Sequence, residues 1–267
     1  MGQHFLSNAG WQKRILERLP RGGDETWVEI GAGHGEMTRL LAESGRRVVA
    51  IEADAKLAAQ LKEESSKWGN VEIVEGDVLR TDLGNISGGK IRVYGNLPYY
   101  ITSPILHHLF SCADRLLSIH IVIQYEVAAR IVARPGRREY GYLSAVCRFF
   151  TRPEIAFRIP PGAFRPSPRV TSALVEMNLP GERATLNVAD EKRFLGFVGT
   201  CFGRKRKTLR NNLRPFVTDD EIRGALAVCG LRPDARAEQL TLSEFATLLA
   251  QVAKAQGWTE GGPGNLS

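Results

Sequence analysis

No apolar run in this sequence approaches the ~20 residues that a membrane-spanning helix needs, so a helical membrane protein is excluded and no membrane partner is expected. The N-terminus, "MGQHFLSNAGWQKR", has no apolar core of a secretory signal. Leu6 stands where a myristoylation signal needs Ser or Thr. Cysteine is scarce. Cys112, Cys147, Cys201 and Cys229 lie far apart, and no pair has Cys-x-x-Cys spacing. They read as reduced, mostly buried thiols in a reducing compartment, not as zinc ligands or a disulfide framework. The expectations are a cytoplasmic protein with no metal site. Internal repeats and low-complexity blocks are also missing, which excludes a solenoid.

What is present is an ordinary globular composition with unusual charge placement. The chain has 267 residues, 43% of them hydrophobic and 24% charged, enough for one large domain or for a medium and a small one. Net charge is +7. Residues 130–170 hold nine arginines and two acids, and residues 201–214, "CFGRKRKTLRNNLR", hold six basic residues and no acid. The rest of the chain is therefore net acidic. Either segment alone reads equally well as a solvated face, or "RKRK" as a localisation tag. Together they point to a polyanion, and nucleic acid is the expected partner.

"TWVEIGAGHGEMTRLLAESG" reads as strand, glycine turn and helix. "RRVVAIEAD" is a second strand ending in Glu52, "AKLAAQLKEESSKW" a helix, and "NVEIVEGDVL" a third strand ending near Asp77. "KIRVYGNLPYY" is a fourth strand, "ITSPILHHLF" a helix, and "SIHIVIQYE" a fifth strand. Near-continuous apolar strands alternating with helices predict a parallel sheet covered on both faces. "TRPEIAFRI" and "TSALVEMNL" are expected as two later strands at one edge. A polar, turn-rich stretch near 180–190 sets a boundary. Residues 1–182 form the expected catalytic domain and 183–256 a small helical one. Its helices are "EKRFLGFVGTCF", "TDDEIRGALAVCG" and "TLSEFATLLAQVAKA", the last capped by Thr241 or Ser243. Residues 257–267 are expected to be a disordered tail.

In "VEIGAGHGE" a strand runs into Gly31, Gly33 and Gly35 before a helix. The plain reading is a tight turn. In a doubly wound sheet the same turn lets a nucleotide-like ligand approach the backbone, and Glu52, 19 residues after Gly33, stands where an acid binds ribose hydroxyls. The G-x-G-x-x-G spacing of a dinucleotide site is missing, because the third glycine comes one residue early and Glu36 follows it. Glu29, Glu52 and Asp77 would repel a pyrophosphate. They suit a cationic sulfonium, a ribose diol and an adenine amine, which is S-adenosylmethionine. On the same edge "NLPYY" ends the fourth strand. Pro98 cannot continue a ladder. Asn96 and a backbone carbonyl near Leu97–Pro98 offer acceptors to the N6 hydrogens of an adenine, and Tyr99 offers a flat face. His34, His107, His108 and His120 read as structural.

At these residues the chain resembles a known family. "GQHFL", "VEIGAGHGEMT", "IEAD", "GDVL", "NLPYYITSPIL" and "FRPSPRVTSALV" stand in the order found in ribosomal RNA adenine dimethyltransferases. "RKRKTLRNNL" and "RAEQLTLSEFATL" resemble the C-terminal signature of the small-subunit branch, the KsgA/RsmA family. The resemblance covers nearly the whole chain. It implies a Rossmann-like S-adenosylmethionine-dependent methyltransferase domain with a small all-helical C-terminal domain. The implied reaction makes N6,N6-dimethyladenosine at two adjacent adenosines in the 3′-terminal hairpin of 16S rRNA, in the immature small subunit, by a monomer that uses no metal.

Residue by residue, the resemblance implies cofactor contacts at His4, Leu6, Gly31, Glu52, Asp77 and Asn96, with Gly33 in the turn and Gln3 closing the pocket. Asn96, Leu97, Pro98 and Tyr99 would form the catalytic element, and Phe164 would stack on the other face of the target base. Arg134, Arg137, Arg138, Arg204, Lys205, Arg206 and Lys207 are assigned to RNA phosphates. Two departures stand out. His4 replaces the Asn common in the family, and the short basic extension that relatives carry before this motif is expected to be missing, which would weaken RNA binding. Three other functions compete. They are a large-subunit rRNA adenine methyltransferase of the antibiotic-resistance type, a DNA adenine methyltransferase, and a non-catalytic assembly or transcription factor on the same scaffold.

Overall fold

The computed structural model describes residues 4–21, 23–98, 101–186, 188–204 and 206–256. Gln3, Tyr99, Lys205 and the tail expected to be disordered lie outside the described residues. The chain divides into two compact units: Met1–Ala129 with Thr151–Leu179, and Arg130–Phe150 with Pro180–Ser267. The second unit thus takes in residues 130–150, which a single boundary near 182 assigns to the first.

The first unit opens with β1 (Phe5–Leu6) and α1 (Ala9–Arg18). Then follow β2 (Thr26–Ile30), α2 (Glu36–Glu43), β3 (Val48–Glu52), α3 (Ala55–Ser65) and β4 (Val71–Glu75). β5 (Ile91–Asn96), α4 (Thr102–Phe110) and β6 (Leu116–Gln124) come next, then α5 (Tyr125–Val132), whose last three residues are counted in the second unit. After them come β7 (Arg152–Ile159), β8 (Phe164–Arg165) and β9 (Ser172–Asn178). Seven of these strands form one sheet, in the order β4-β3-β2-β5-β6-β9-β7. The first five strands of that order are parallel. β9 pairs antiparallel with both β6 and β7, as expected for later strands at an edge.

β2 and β3 are buried at every residue, which explains why neither alternates polar and apolar positions. The chain steps outward from β2 to β3 and β4, then returns to place β5 on the other side of β2. Right-handed crossovers put α2 and α3 on one face and α4 on the other. The reversal makes a topological switch point at the carboxyl ends of β2 and β5, where ligands bind in open α/β sheets. A separate two-stranded ribbon joins β1 to β8, with Leu6 opposite Phe164.

The second unit contains α6 (Tyr142–Phe150), α7 (Glu191–Cys201), α8 (Leu209–Leu213), α9 (Asp219–Val228) and α10 (Leu242–Ala255). Its core includes Phe149 against Phe194, with ring centres 5.3 Å apart, and Phe202 against Phe245 at 5.8 Å. Thr241, not Ser243, caps α10, in a reciprocal pair with Glu244. Among the described residues no helix is long and apolar enough to cross a membrane.

Candidate active site

The glycine turn after β2 is shaped by backbone that other residues rarely adopt. Gly31, Gly33 and Gly35 have φ of 73°, 59° and 80°, the left-handed region open to glycine. Space is also short. A Cβ on Gly33 would stand 2.9 Å from the Phe5 ring, and one on Gly35 would stand 2.3 Å from Leu61 Cδ1. Phe5 in turn packs on His34, ring centres 4.6 Å apart, so His34 has the structural role expected of it.

Glu52 ends β3 and closes this turn. One carboxylate oxygen accepts the Gly33 N–H at 2.8 Å and the other accepts the Asp54 N–H at 2.9 Å. Each oxygen keeps a lone pair for a further donor. Asp77 stands two residues beyond the end of β4, exposed, with one oxygen accepting the Leu79 N–H at 2.9 Å. Glu29 differs from both. It is 2% exposed, and its carboxylate oxygen accepts the Thr38 hydroxyl at 2.6 Å. Burial pushes its pKa up to about 8, aided by the charges of Glu36 and Glu52 and opposed by the Thr38 bond. The acidic collar inferred from sequence therefore holds a neutral Glu29 at pH 7. Sequence gives no sign of the Glu29–Thr38 pairing, since nothing in a nine-residue separation across a loop marks it.

Asn96 ends β5 beside the turn; the nearest atom to a Cβ on Gly31 would be the Asn96 carbonyl oxygen, at 4.0 Å. The Asn96 side-chain amide donates from Nδ2 to the His4 carbonyl at 2.9 Å. With the nitrogen committed, the amide oxygen Oδ1 is left as the acceptor end. His4 itself is anchored by Nδ1 against the Pro166 carbonyl at 2.6 Å. A carbonyl partner requires the proton on Nδ1. Ser7 and Asn8 N–H both donate to the Ala163 carbonyl, and buried Gln12 Nε2 donates to the Leu6 carbonyl at 2.6 Å. The N-terminal segment is thus tied to the 163–166 loop, and it orients Asn96.

Leu97 is buried, its N–H held by the Val122 carbonyl at 3.1 Å. The Pro98 carbonyl accepts the Ile101 N–H at 3.3 Å and the Thr102 hydroxyl at 3.4 Å. One expected role changes. Phe164 is 2% exposed within the core cluster, so its ring packs the interior and presents no open face to a base. The Leu6 side chain is buried in the same cluster. Burial also explains the other histidines. His120 is 1% exposed, held down to about 3 by desolvation with Arg92 and Arg18 nearby, and His108 Nε2 meets the Thr81 carbonyl at 2.9 Å. Among the described residues no group of three His, Cys, Asp or Glu side chains could hold a metal ion.

The basic residues gather elsewhere. Arg134, Arg137, Arg138, Arg204, Arg206 and Lys207 are all exposed, and all belong to the second unit. Among the described residues none of the six forms an ion pair. The two segments are joined where Tyr140 packs edge-on against Phe202, ring centres 5.8 Å apart. Segments about 70 residues apart in sequence thus join one helical body.

A Rossmann-like sheet with a glycine turn, a carboxylate ending β3 and an oriented asparagine amide at its switch point has the architecture of a methyltransferase that uses S-adenosylmethionine. The family model described as "Ribosomal RNA adenine dimethylase" matches residues 1–254. The sequence is 41% identical to ribosomal RNA small subunit methyltransferase A of Koribacter versatilis, over 95% of this chain and 94% of the relative. It is 40% identical to the protein of that name from Xanthomonas campestris pv. campestris, over 93% of each. Two solved structures share the fold: a dimethyladenosine transferase from Plasmodium falciparum (TM-score 0.76, 22% identity, 95% of this chain and 98% of that one) and the 23S rRNA methyltransferase ErmE (0.72, 24%, 93% and 99%). The chain belongs to the ribosomal RNA adenine dimethylase family.

Proposed function

We propose that this protein methylates N6 of two adjacent adenosines in the 3′-terminal hairpin of 16S rRNA, each becoming N6,N6-dimethyladenosine, with S-adenosylmethionine as donor. The observation that carries this reading is the Asn96 amide, fixed by the His4 carbonyl so that its oxygen is the free acceptor at the switch point. The small-subunit assignment is supported by the relatives at about 40% identity, which carry that name. The substrate is the immature small subunit in the cytoplasm, met by a monomer.

The residues present fit the donor. Glu52 has lone pairs left for a ribose diol, Asp77 has an oxygen left for an amine, and the glycine turn removes side chains where the ligand backbone would lie. When bound, S-adenosylmethionine supplies an electrophilic methyl group on a cationic sulfonium. Adenine N6 is a poor nucleophile because its lone pair is delocalised into the ring. In the first transfer Asn96 Oδ1 and a main-chain carbonyl near Leu97–Pro98 each accept one N6–H bond, and in the second one N–H remains to be accepted. Both favour the pyramidal nitrogen whose positive charge develops as the N–CH3 bond forms and the S–CH3 bond breaks, and in each transfer one N6 proton is released to solvent. Such preorganised acceptors contribute on the order of 3 kcal/mol each. Tyr99 gives the base a stacking face, worth ~1–3 kcal/mol. The exposed arginines and lysines of the second unit hold phosphates.

The test is to incubate the protein with labelled S-adenosylmethionine and small subunits lacking this modification, with large subunits and duplex DNA in parallel. Dimethyladenosine from the small-subunit 3′ hairpin alone is the expected product. Label in large-subunit RNA or DNA would overturn the substrate. No label, with donor still bound, would favour the non-catalytic assembly role.

A further inference from the structure

The carboxyl edge of the sheet has two sides about Asn96. Gly31, Glu52 and Asp77 stand at the ends of β2, β3 and β4, and they fit the donor. β6, β9 and β7 lie on the other side, which is left to the RNA. Pairing sets a row across that side: Asn96 opposite Val122, Val122 opposite Leu174, and Leu174 opposite Phe157. At the usual strand spacing Phe157 lies about 14 Å from Asn96.

Phe157 and Arg158 follow one another on β7 and so point to opposite faces. Each face carries an exposed guanidinium set on an aromatic ring. Arg14 of α1 lies over Phe157, its Cζ 4.6 Å from the ring centre, and over Trp11 at 5.0 Å. Arg158 lies over Tyr125, the first residue of α5, at 3.9 Å, and its Nη2 donates to the Tyr125 hydroxyl at 2.6 Å. Stacking fixes a guanidinium without neutralising it. The acids nearest in sequence do not neutralise it either. Glu154 pairs with Arg18 at 3.5 Å, and among the described residues Glu17 and Glu126 form no ion pair with Arg14 or Arg158. Residues 155–175 add Arg165 and Arg169, both exposed, and no acid.

A preset guanidinium with its charge free selects an oxyanion through its fork of N–H donors. Two of them, one on each face of the same strand end and level with the reacting edge, select a chain of phosphates over a lone carboxylate. We infer that Arg14 and Arg158 hold phosphates of the RNA strand within a few nucleotides of the target adenosine, on the β6–β9–β7 side of the site. The inference rests on the RNA-methylating reading above, and it adds contacts beside the reacting base to those of the second unit.

Arg14→Gln and Arg158→Gln, singly and together in the full chain, test it. Binding is measured by anisotropy to the 3′-terminal small-subunit hairpin, and to copies in which one phosphate at a time is an uncharged methylphosphonate. Each substitution should weaken binding about 3- to 10-fold and reduce the log–log salt slope by about 0.7, with donor affinity unchanged. Neutralising one phosphate close to the target adenosines should weaken the wild type by a similar factor and Arg158→Gln by none, which is the coupling expected of a direct contact. Arg158→Lys keeps the charge and should recover the slope, which a purely structural role of the stack would not allow. With unmodified small subunits as substrate, the double variant should raise KM more than it lowers kcat. Unchanged affinity and slope, no coupled phosphate, or coupling only to phosphates far from the target overturns the inference while leaving RNA binding intact. A loss seen with subunits but not with the bare hairpin means that the two arginines meet an acidic protein, and it overturns the inference too. Wild-type protein that binds no RNA overturns the RNA reading, and the inference with it.

Discussion

The carboxyl edge of the sheet and the helical unit treat charge in opposite ways. At the sheet edge the acids are buried or already engaged: Glu52 holds two backbone N–H groups and Glu29 is sequestered with Thr38. In the helical unit the cations stand exposed, and among the described residues the six named above have no ionic partners. Charge held in fixed geometry in a dry site acts at one atom and depends on position. Exposed charge acts as a screened field and depends on number. The first arrangement fits a reacting centre and the second a long polyanion. Substitutions in the two regions should therefore fail differently.

The largest effect is expected at Asn96. Asn96→Ala should lower kcat by about 100-fold, roughly 3 kcal/mol of transition-state stabilisation, while donor binding and Tm hold. Single-turnover kinetics with an RNA substrate would measure it. Near-normal turnover would remove the amide from the chemistry and erase the contrast between the regions.

Glu29 tests how completely the edge is buried. Its carboxyl is raised from 4.5 to about 8 in the folded protein. Between those values the folded state holds a proton that the unfolded state has released. Stability should therefore fall as pH rises from about 4.5 to 8, and level off above. The drop is on the order of a few kcal/mol across that window. Glu29→Gln keeps an oxygen for Thr38 and should flatten it. Parallel pH–Tm curves for the two proteins would show that Glu29 is solvated after all.

A matched pair of glycines sharpens the comparison. Gly35 in the turn and Gly136 in the basic segment both have φ of 80°. A Cβ at Gly35 meets Leu61 at 2.3 Å, whereas one at Gly136 meets nothing within 4 Å. Gly136→Ala should cost only the backbone conformation, about 1 kcal/mol. Gly35→Ala adds overpacking, bringing it to roughly 2–4 kcal/mol. Urea unfolding of both variants would measure the difference, and equal costs would mean that the site's walls yield.

The same contrast governs what can be read in the sequence. The parallel strands, the glycine turn, Glu52 and Asn96 are legible because each rests on a local spacing: an apolar run, a left-handed turn, an acid at a strand end. The boundary is only partly legible. α6, "YLSAVCRFF", is apolar on one face, and that pattern says a helix will be buried without saying in which core. α5, α6 and the five-residue α8 do not stand out as elements in the sequence. The β1–β8 ribbon joins two-residue strands about 160 positions apart, too short for any periodicity to register. The burial of Phe164 and the role of the His4 carbonyl are hidden with it, since both follow from that pairing. Charge tells of a polyanion, but not that two basic segments share one unit.

That sharing gives the smallest and most diagnostic effect. Arg206 and Lys207 are exposed and lie in the unit that also holds Arg134, Arg137 and Arg138. If all of them meet one RNA backbone, each behaves as a unit of counterion release rather than as a specific contact. Arg206→Ala with Lys207→Ala should then weaken RNA binding several-fold and reduce the log–log salt slope by about 0.7–0.9 for each phosphate no longer neutralised. Turnover at saturating RNA should stay near normal, because neither side chain belongs to the sheet edge. Arg137→Ala with Arg138→Ala should do the same despite lying about 70 residues away in sequence, and the two pairs should add in slope. A slope that does not move in either pair would place the RNA surface elsewhere. A slope that moves together with kcat would mean that the exposed field and the buried site are not separable after all.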